Sequence, residues 1–99
     1  MERYYALVIR TFKCADTAAL FNRQRVARFV TLEAVARRKL EQLNQAGQLD
    51  DLRVPSGNRL EALKGDRAGQ YSIRVNDQFR VCFRWTGTDA ENVEIVDYH

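Results

Sequence analysis

Ninety-nine residues, 45% of them hydrophobic, make one domain (residues 1–99) with one modest core and no room for a second. The longest apolar run near the start, Tyr4 to Ile9, is too short to cross a bilayer or form a signal-peptide core, so a cytoplasmic chain without membrane contact is expected. Two distant cysteines and a single histidine complete neither a CxxC pair nor a zinc set, and a net charge of +3 is too mild to establish a nucleic-acid partner by itself.

In chain order, Val8 to Lys13 (VIRTFK) alternates as a first strand. ADTAALFNRQ is a short helix with Asp16 or Thr17 as its N-cap, and RVARFV either continues it or bends. The next helix has Thr31 as its cap and Glu33 in its first turn, where negative charge is favoured. Leu32, Val35, Ala36, Leu40 and Leu43 recur at helical spacing and are its core side, Arg37, Arg38 and Lys39 cover the polar side, and Gly47 is the stop signal.

LDDLRVPSGN is a connector whose Pro55, Gly57 and Asn58 are turn formers. The character then changes to β. RLEAL is a short strand, and KGDRAG is a charged turn without the spacing of a Walker phosphate loop. QYSIRVNDQFRVCFRW reads as a hairpin about Asn76-Asp77, and NVEIVDYH as the last strand. The pattern predicts an α+β domain with two N-terminal helices against one face of a small, mostly antiparallel sheet.

Alternation sorts the hairpin by face. Tyr71, Ile73, Val75, Phe79, Val81, Phe83 and Trp85 form the core side. Ser72, Arg74, Arg80, Cys82 and Arg84 take the opposite side, so three arginines line one exposed face, joined by Arg59 and Lys64 from the neighbouring strand and turn. A solvated polar face is the bland alternative. Packing like charges together costs folding energy that an anionic partner relieves, and Arg forks suit phosphate.

Beside that face the chain ends on Asp97, Tyr98 and His99, its only histidine. Acid, phenol and imidazole suit phosphodiester cleavage in RNA. A 2′-OH must lose a proton as it attacks phosphorus, the leaving 5′-oxygen must gain one, and imidazole titrates in the right range for either step. A carboxylate orients the imidazole, and arginines stabilise the charge gained in the transition state. In a regular strand Asp97 and His99 share a face with Val93 and Ile95 while Tyr98 points the other way, so a bend must bring all three to one substrate.

The segment VPSGNRLEALKGDRAGQYSIRVNDQFRVCFRW followed by VEIVDYH resembles the HigB family of toxins, the plasmid-maintenance killer proteins of the RelE superfamily. The likeness runs from about Ile9 to His99 and includes ARRKL; LKGD, SIRVNDQFR and a terminal DYH in that order are its specific combination. The resemblance implies a compact α+β domain whose curved sheet carries the active groove. It implies a ribosome-dependent mRNA endonuclease that enters the ribosomal A site and cuts the codon there, with no metal or organic cofactor. Its partner would be a helix-turn-helix antitoxin of the HigA type, with operator DNA bound only through the toxin–antitoxin complex.

Carried over, the family's terminal acid, aromatic and histidine fall on Asp97, Tyr98 and His99, and its phosphate grip on Lys64 and Arg80, then Arg74 and Arg84. Glu61 stands where some members carry a histidine before the LKG turn; it acts as the general base, or it is structural and the chemistry rests on His99. The lead MERYYAL, residues 1–7, is longer than the family's usual start: an added strand extension, a misassigned start or a disordered lead. The alternative to a toxin is a non-catalytic RNA-, ribosome- or partner-binding module of the same fold.

Overall fold

The computed structural model describes residues 8–98. The expected N-terminal extension and His99 therefore lie outside the described residues. Helix α1 spans Ala15–Phe21 and α2 Glu33–Asn44; strands β1 (Glu61–Ala62), β2 (Gln70–Arg74), β3 (Phe79–Trp85) and β4 (Ala90–Asp97) follow. The strands form one antiparallel sheet in the order β1-β2-β3-β4, with the hairpin turn where Asn76 and Asp77 predict it.

The expected first strand is a correction. Residues 8–13 make no regular ladder; they run parallel to β4 through two isolated bridges, Ile9 with Ala90 and Phe12 with Val93. The cause lies in β4. Cys82 pairs with Glu94 and Arg84 with Glu91, so Asn92 and Val93 together oppose the single residue Phe83. Asn92 takes a left-handed backbone, φ 54°, to make this bulge. The extra residue keeps Ala90, Val93 and Ile95 all buried in the core, and it interrupts the edge on which residues 8–13 would otherwise pair evenly.

Both helix caps differ from expectation. Cys14 is the N-cap of α1, without a side-chain capping bond. Asp16 falls in the first turn, and Thr17 is buried, its Oγ1 accepting a hydrogen bond from the Ile95 N–H at 3.0 Å. The Thr17 hydroxyl is thus used to pin α1 to β4. RVARFV becomes a 3-10 turn over Ala27–Leu32 that runs directly into α2, so Leu32, and not Thr31, precedes the helix. The continuous helical backbone supplies acceptors that a side-chain cap would otherwise replace.

α2 ends at Asn44, three residues before Gly47. Asn44 is buried, and its Oδ1 accepts from the Ile9 N–H at 2.9 Å, which ties the helix end to the edge segment. Arg37 is not a merely solvated residue: it donates to the Leu20 and Gln24 carbonyls at 2.9 and 3.1 Å and to Glu33 at 2.6 Å, closing the end of α1.

The expected apolar stripe holds. Leu32, Ala36, Leu40 and Leu43 are buried, and Val35 packs at the margin. They meet Ile73, Val75, Val81 and Phe83 from the hairpin, with Tyr71, Phe79 and Trp85 half-buried at the rim. Removing one of the fully buried leucines would cost about 2–5 kcal/mol. The connector folds into two 3-10 turns, Leu49–Arg53 and Ser56–Asn58. Asn58 is fully buried; its amide donates to the Leu52 carbonyl and the Gln42 Oε1, both at 3.1 Å, and its Oδ1 accepts from Lys39.

Candidate functional site

The sheet face away from the helices carries the row Glu61, Ser72, Cys82, Glu94, one residue from each strand, and beside it the row Arg74, Arg80, Val96. The expectation of an open arginine face needs correcting. Ser72 and Cys82 are fully buried, and the Arg80 side chain is only 11% exposed. Arg80 lies across the sheet instead of standing into solvent.

Four groups hold or flank it. Arg80 Nε donates to Ser72 Oγ at 2.7 Å, and Nη2 donates to the Arg59 carbonyl at 2.7 Å. Glu61 Oε1 sits 3.6 Å from Nη2, and the Tyr98 ring centre 5.7 Å from the guanidinium carbon, a cation–π distance. Arg59 presents its carbonyl from a left-handed backbone, φ 48° and ψ 56°, a region few residues other than glycine adopt. Among the described residues Arg80 Nη1 makes no hydrogen bond.

The other arginines of the face separate. Arg74 pairs with Asp77 in the hairpin turn. Arg84 is exposed and lies against Gly69, where an added Cβ would come within 3.0 Å of Arg84 Nη1; Gly69 has φ 92°, which only glycine tolerates freely. Arg67 and Lys13 both reach Glu94, at 3.3 and 3.6 Å. Much of the like-charge repulsion expected on this face is thus relieved within the chain. Burial pushes the Cys82 thiol up; Arg67 and Arg80 pull it down, and Glu94 and Glu61 raise it further, so four charges bear on one buried thiol.

Tyr98 and Asp97 part as strand parity expects. Tyr98 is on the Arg80 side, and its N–H is held by the Gln78 carbonyl at 2.6 Å. Asp97 pairs with Phe79 on the other side, where Gln78 Nε2 donates to its Oδ2 at 3.0 Å. Lys64 is exposed at the head of the Gly65–Arg67 turn. The structure therefore gathers Glu61, Arg80, Tyr98 and the Arg59 backbone, and leaves Asp97, Arg74 and Arg84 apart from that group. Sequence reasoning missed Ser72, the hydroxyl that receives Arg80, and Arg67 and Glu94 beside it. The available signal was one small hydroxyl among the arginines of a shared parity.

Among the described residues no three histidine, cysteine, aspartate or glutamate side chains come together as a metal set, and no helix is long and apolar enough to cross a membrane.

The family described as the RelE-like toxin of type II toxin–antitoxin system HigB matches residues 18–99. Toxin HigB-1 of Vibrio cholerae is 47% identical over 62 residues, which cover 63% of this chain and 65% of that protein. An uncharacterized protein of Haemophilus influenzae is 36% identical over 62 residues, covering 63% of this chain and 61% of its own length. The chain thus spans a little under two thirds of the length of these curated relatives. Among solved structures, the YoeB/ParE toxin from Agrobacterium tumefaciens superposes with a TM-score of 0.43 at 22% identity, covering 92% of this chain and 99% of that one.

Proposed function

This chain belongs to the HigB-like family, RelE-like toxins of type II toxin–antitoxin systems, and on that footing we propose that it is a ribosome-dependent mRNA endoribonuclease that cleaves the codon in the A site and so inhibits translation. The observation that carries the reading is the Arg80 guanidinium, held through Nε and Nη2 with Nη1 making no hydrogen bond among the described residues, between an exposed carboxylate and the aromatic ring of Tyr98.

In the proposed reaction the message phosphate takes up the Arg80 Nη1 edge, with Lys64, Arg59, Arg84 and Arg74 along the adjoining backbone. Glu61 accepts the proton of the 2′-OH as that oxygen attacks phosphorus. The bond from phosphorus to the 5′-oxygen breaks, and His99 returns a proton to the leaving oxygen. The products are a 2′,3′-cyclic phosphate and a 5′-hydroxyl, so atoms and charge balance without a co-reactant. Arg80 lowers the barrier by meeting the charge that grows on the phosphoryl oxygens. Tyr98 stacks on a base of the codon, and a bend at the chain end brings His99 to the phosphate with Asp97 orienting it. The ribosome holds the codon in line for attack, an effect worth up to roughly 7–11 kcal/mol in favourable intramolecular systems. A HigA-type helix-turn-helix antitoxin is the proposed partner, with operator DNA reached only through that complex.

The test is induced expression in bacteria of the intact chain and of His99→Ala, with growth followed and mRNA 5′ ends mapped. Growth arrest and cuts within translated codons for the intact chain alone support the reading. Silence from both would favour the non-catalytic binding module. Equal rates on naked and translated RNA in a purified system would remove the ribosome from the mechanism.

A further inference from the structure

We propose that Ser72 is a positioning residue of this site: its buried hydroxyl, together with the Arg59 carbonyl, fixes the plane of the Arg80 guanidinium so that the Nη1 edge meets the scissile phosphate. The role rests on the endoribonuclease reading above.

Ser72 is not the residue opposite Arg80; that place belongs to Arg74. Ser72 is the diagonal neighbour, opposite Cys82 and one residue before Ile73 on β2. An arginine facing another arginine is repelled from its own cross-strand partner and needs something to draw it elsewhere. The hydroxyl does this at 2.7 Å from Nε, and it does so from a fully buried position where no water competes.

One bond would leave the fork free to turn about that contact. The second, from Nη2 to the Arg59 carbonyl at 2.7 Å, is made by a different nitrogen of the fork and removes that freedom. The Arg59 carbonyl is available because residue 59 adopts a left-handed backbone at φ 48°, one of three non-glycine residues with positive φ among those described. Strained backbone of this kind persists where the surroundings require it and clusters at working sites. Among the described residues Nε and Nη2 are engaged and Nη1 is not, which leaves Nη1 as the group that meets a ligand.

A serine that merely satisfied a buried polar group would act on stability alone, and an Arg80 without Ser72 would still carry its charge. Positioning makes a different forecast. Binding by charge persists when the aim is lost, whereas transition-state stabilisation does not.

The experiment measures kcat and KM for cleavage of ribosome-loaded message by wild type, Ser72→Ala, Ser72→Thr, Arg80→Ala and the Ser72→Ala/Arg80→Ala double variant. Ser72→Ala should lower kcat by about tenfold to a hundredfold with little change in KM, as misplacement near 1 Å does elsewhere. Ser72→Thr, which keeps the hydroxyl, should recover most of the rate. On the Arg80→Ala background the alanine at 72 should cost nothing further. A wild-type rate for Ser72→Ala, or the same loss with and without Arg80, overturns the positioning role while leaving the activity standing. A wild type that cleaves no message overturns the endoribonuclease reading, and this role falls with it. Should Ser72→Ala fail to fold, Ser72→Cys, of similar volume and a weaker acceptor, carries the same kcat forecast.

Discussion

Arg74 and Arg80 sit directly opposite each other on β2 and β3, yet their guanidinium groups part: Arg74 turns to Asp77 in the hairpin turn, and Arg80 crosses to Ser72 and the Arg59 carbonyl. Like charges directly opposite on a sheet destabilise it. Here a nearby acid and a buried hydroxyl draw the pair apart, and Glu61 comes within 3.6 Å of Arg80. An incoming phosphate must therefore share Arg80 with a resident carboxylate.

Glu61→Gln separates the two uses of that carboxylate. Its side chain is 55% exposed, so the ion pair contributes little to folding, about 0–1 kcal/mol. Thermal unfolding should shift by no more than that. As general base, however, Glu61 should be worth roughly 10²–10⁴-fold in cleavage rate. A Gln variant that cuts message at the wild-type rate would return both proton transfers to His99.

Arg80→Lys should not substitute for arginine. A lysine offers one flexible ammonium and cannot meet Ser72 Oγ and the Arg59 carbonyl while presenting a third edge. Cleavage should fall nearly as far as in Arg80→Ala. Arg80→Ala also leaves the buried Ser72 hydroxyl short of a partner, at a cost of about 1–3 kcal/mol in urea unfolding. Lysine with wild-type activity would show that charge alone suffices.

Thr17→Val tests how α1 is fastened to the sheet. The substitution preserves shape but removes the acceptor of the buried Ile95 N–H. Equilibrium unfolding should show a loss of about 1–3 kcal/mol, and Thr17→Ser should keep most of it. An unchanged midpoint for valine would mean that the Ile95 amide finds another acceptor.

The two thiols should react in a fixed order. Burial raises the Cys14 thiol, but bonds from Thr17 and Asp16 and the Arg28 guanidinium, 3.4 Å from Sγ, outweigh it and leave the group below its ordinary value. Cys82 is fully buried and raised, so it holds less thiolate at any given pH. A thiol reagent should label Cys14 first, and the rate should climb with pH from a lower starting point than for an ordinary thiol. Mass mapping of the labelled peptide reads the order; Cys82 reacting first would contradict the packing of this face.

Much of the architecture is determined by local pattern. Helical spacing from Leu32 to Leu43, alternation along the hairpin and turn chemistry at Asn76-Asp77 each repeat within a few residues, and each appears in the structure where it is read. Strand parity also places Tyr98 on the Arg80 side and Asp97 opposite. The order of LKGD, SIRVNDQFR and DYH is sufficient for the family resemblance.

Tertiary structure alone decided where the hydrogen bonds go. Thr17 reads as a helix cap but serves Ile95, 78 positions away; Asn58 reads as a turn former but is buried under α2; Asn44 binds the edge segment 35 residues upstream. The bulge at Asn92 and the broken bridges of residues 8–13 have no periodic signature. At the site, parity puts Arg80 and Ser72 on one face, but only packing of β1, β2 and β3 side by side brings the Arg59 carbonyl and Glu61 to the same guanidinium. Periodicity reports which way a side chain points. A donor's choice among acceptors depends on distances between residues far apart in the chain, and those exist only once the core has closed.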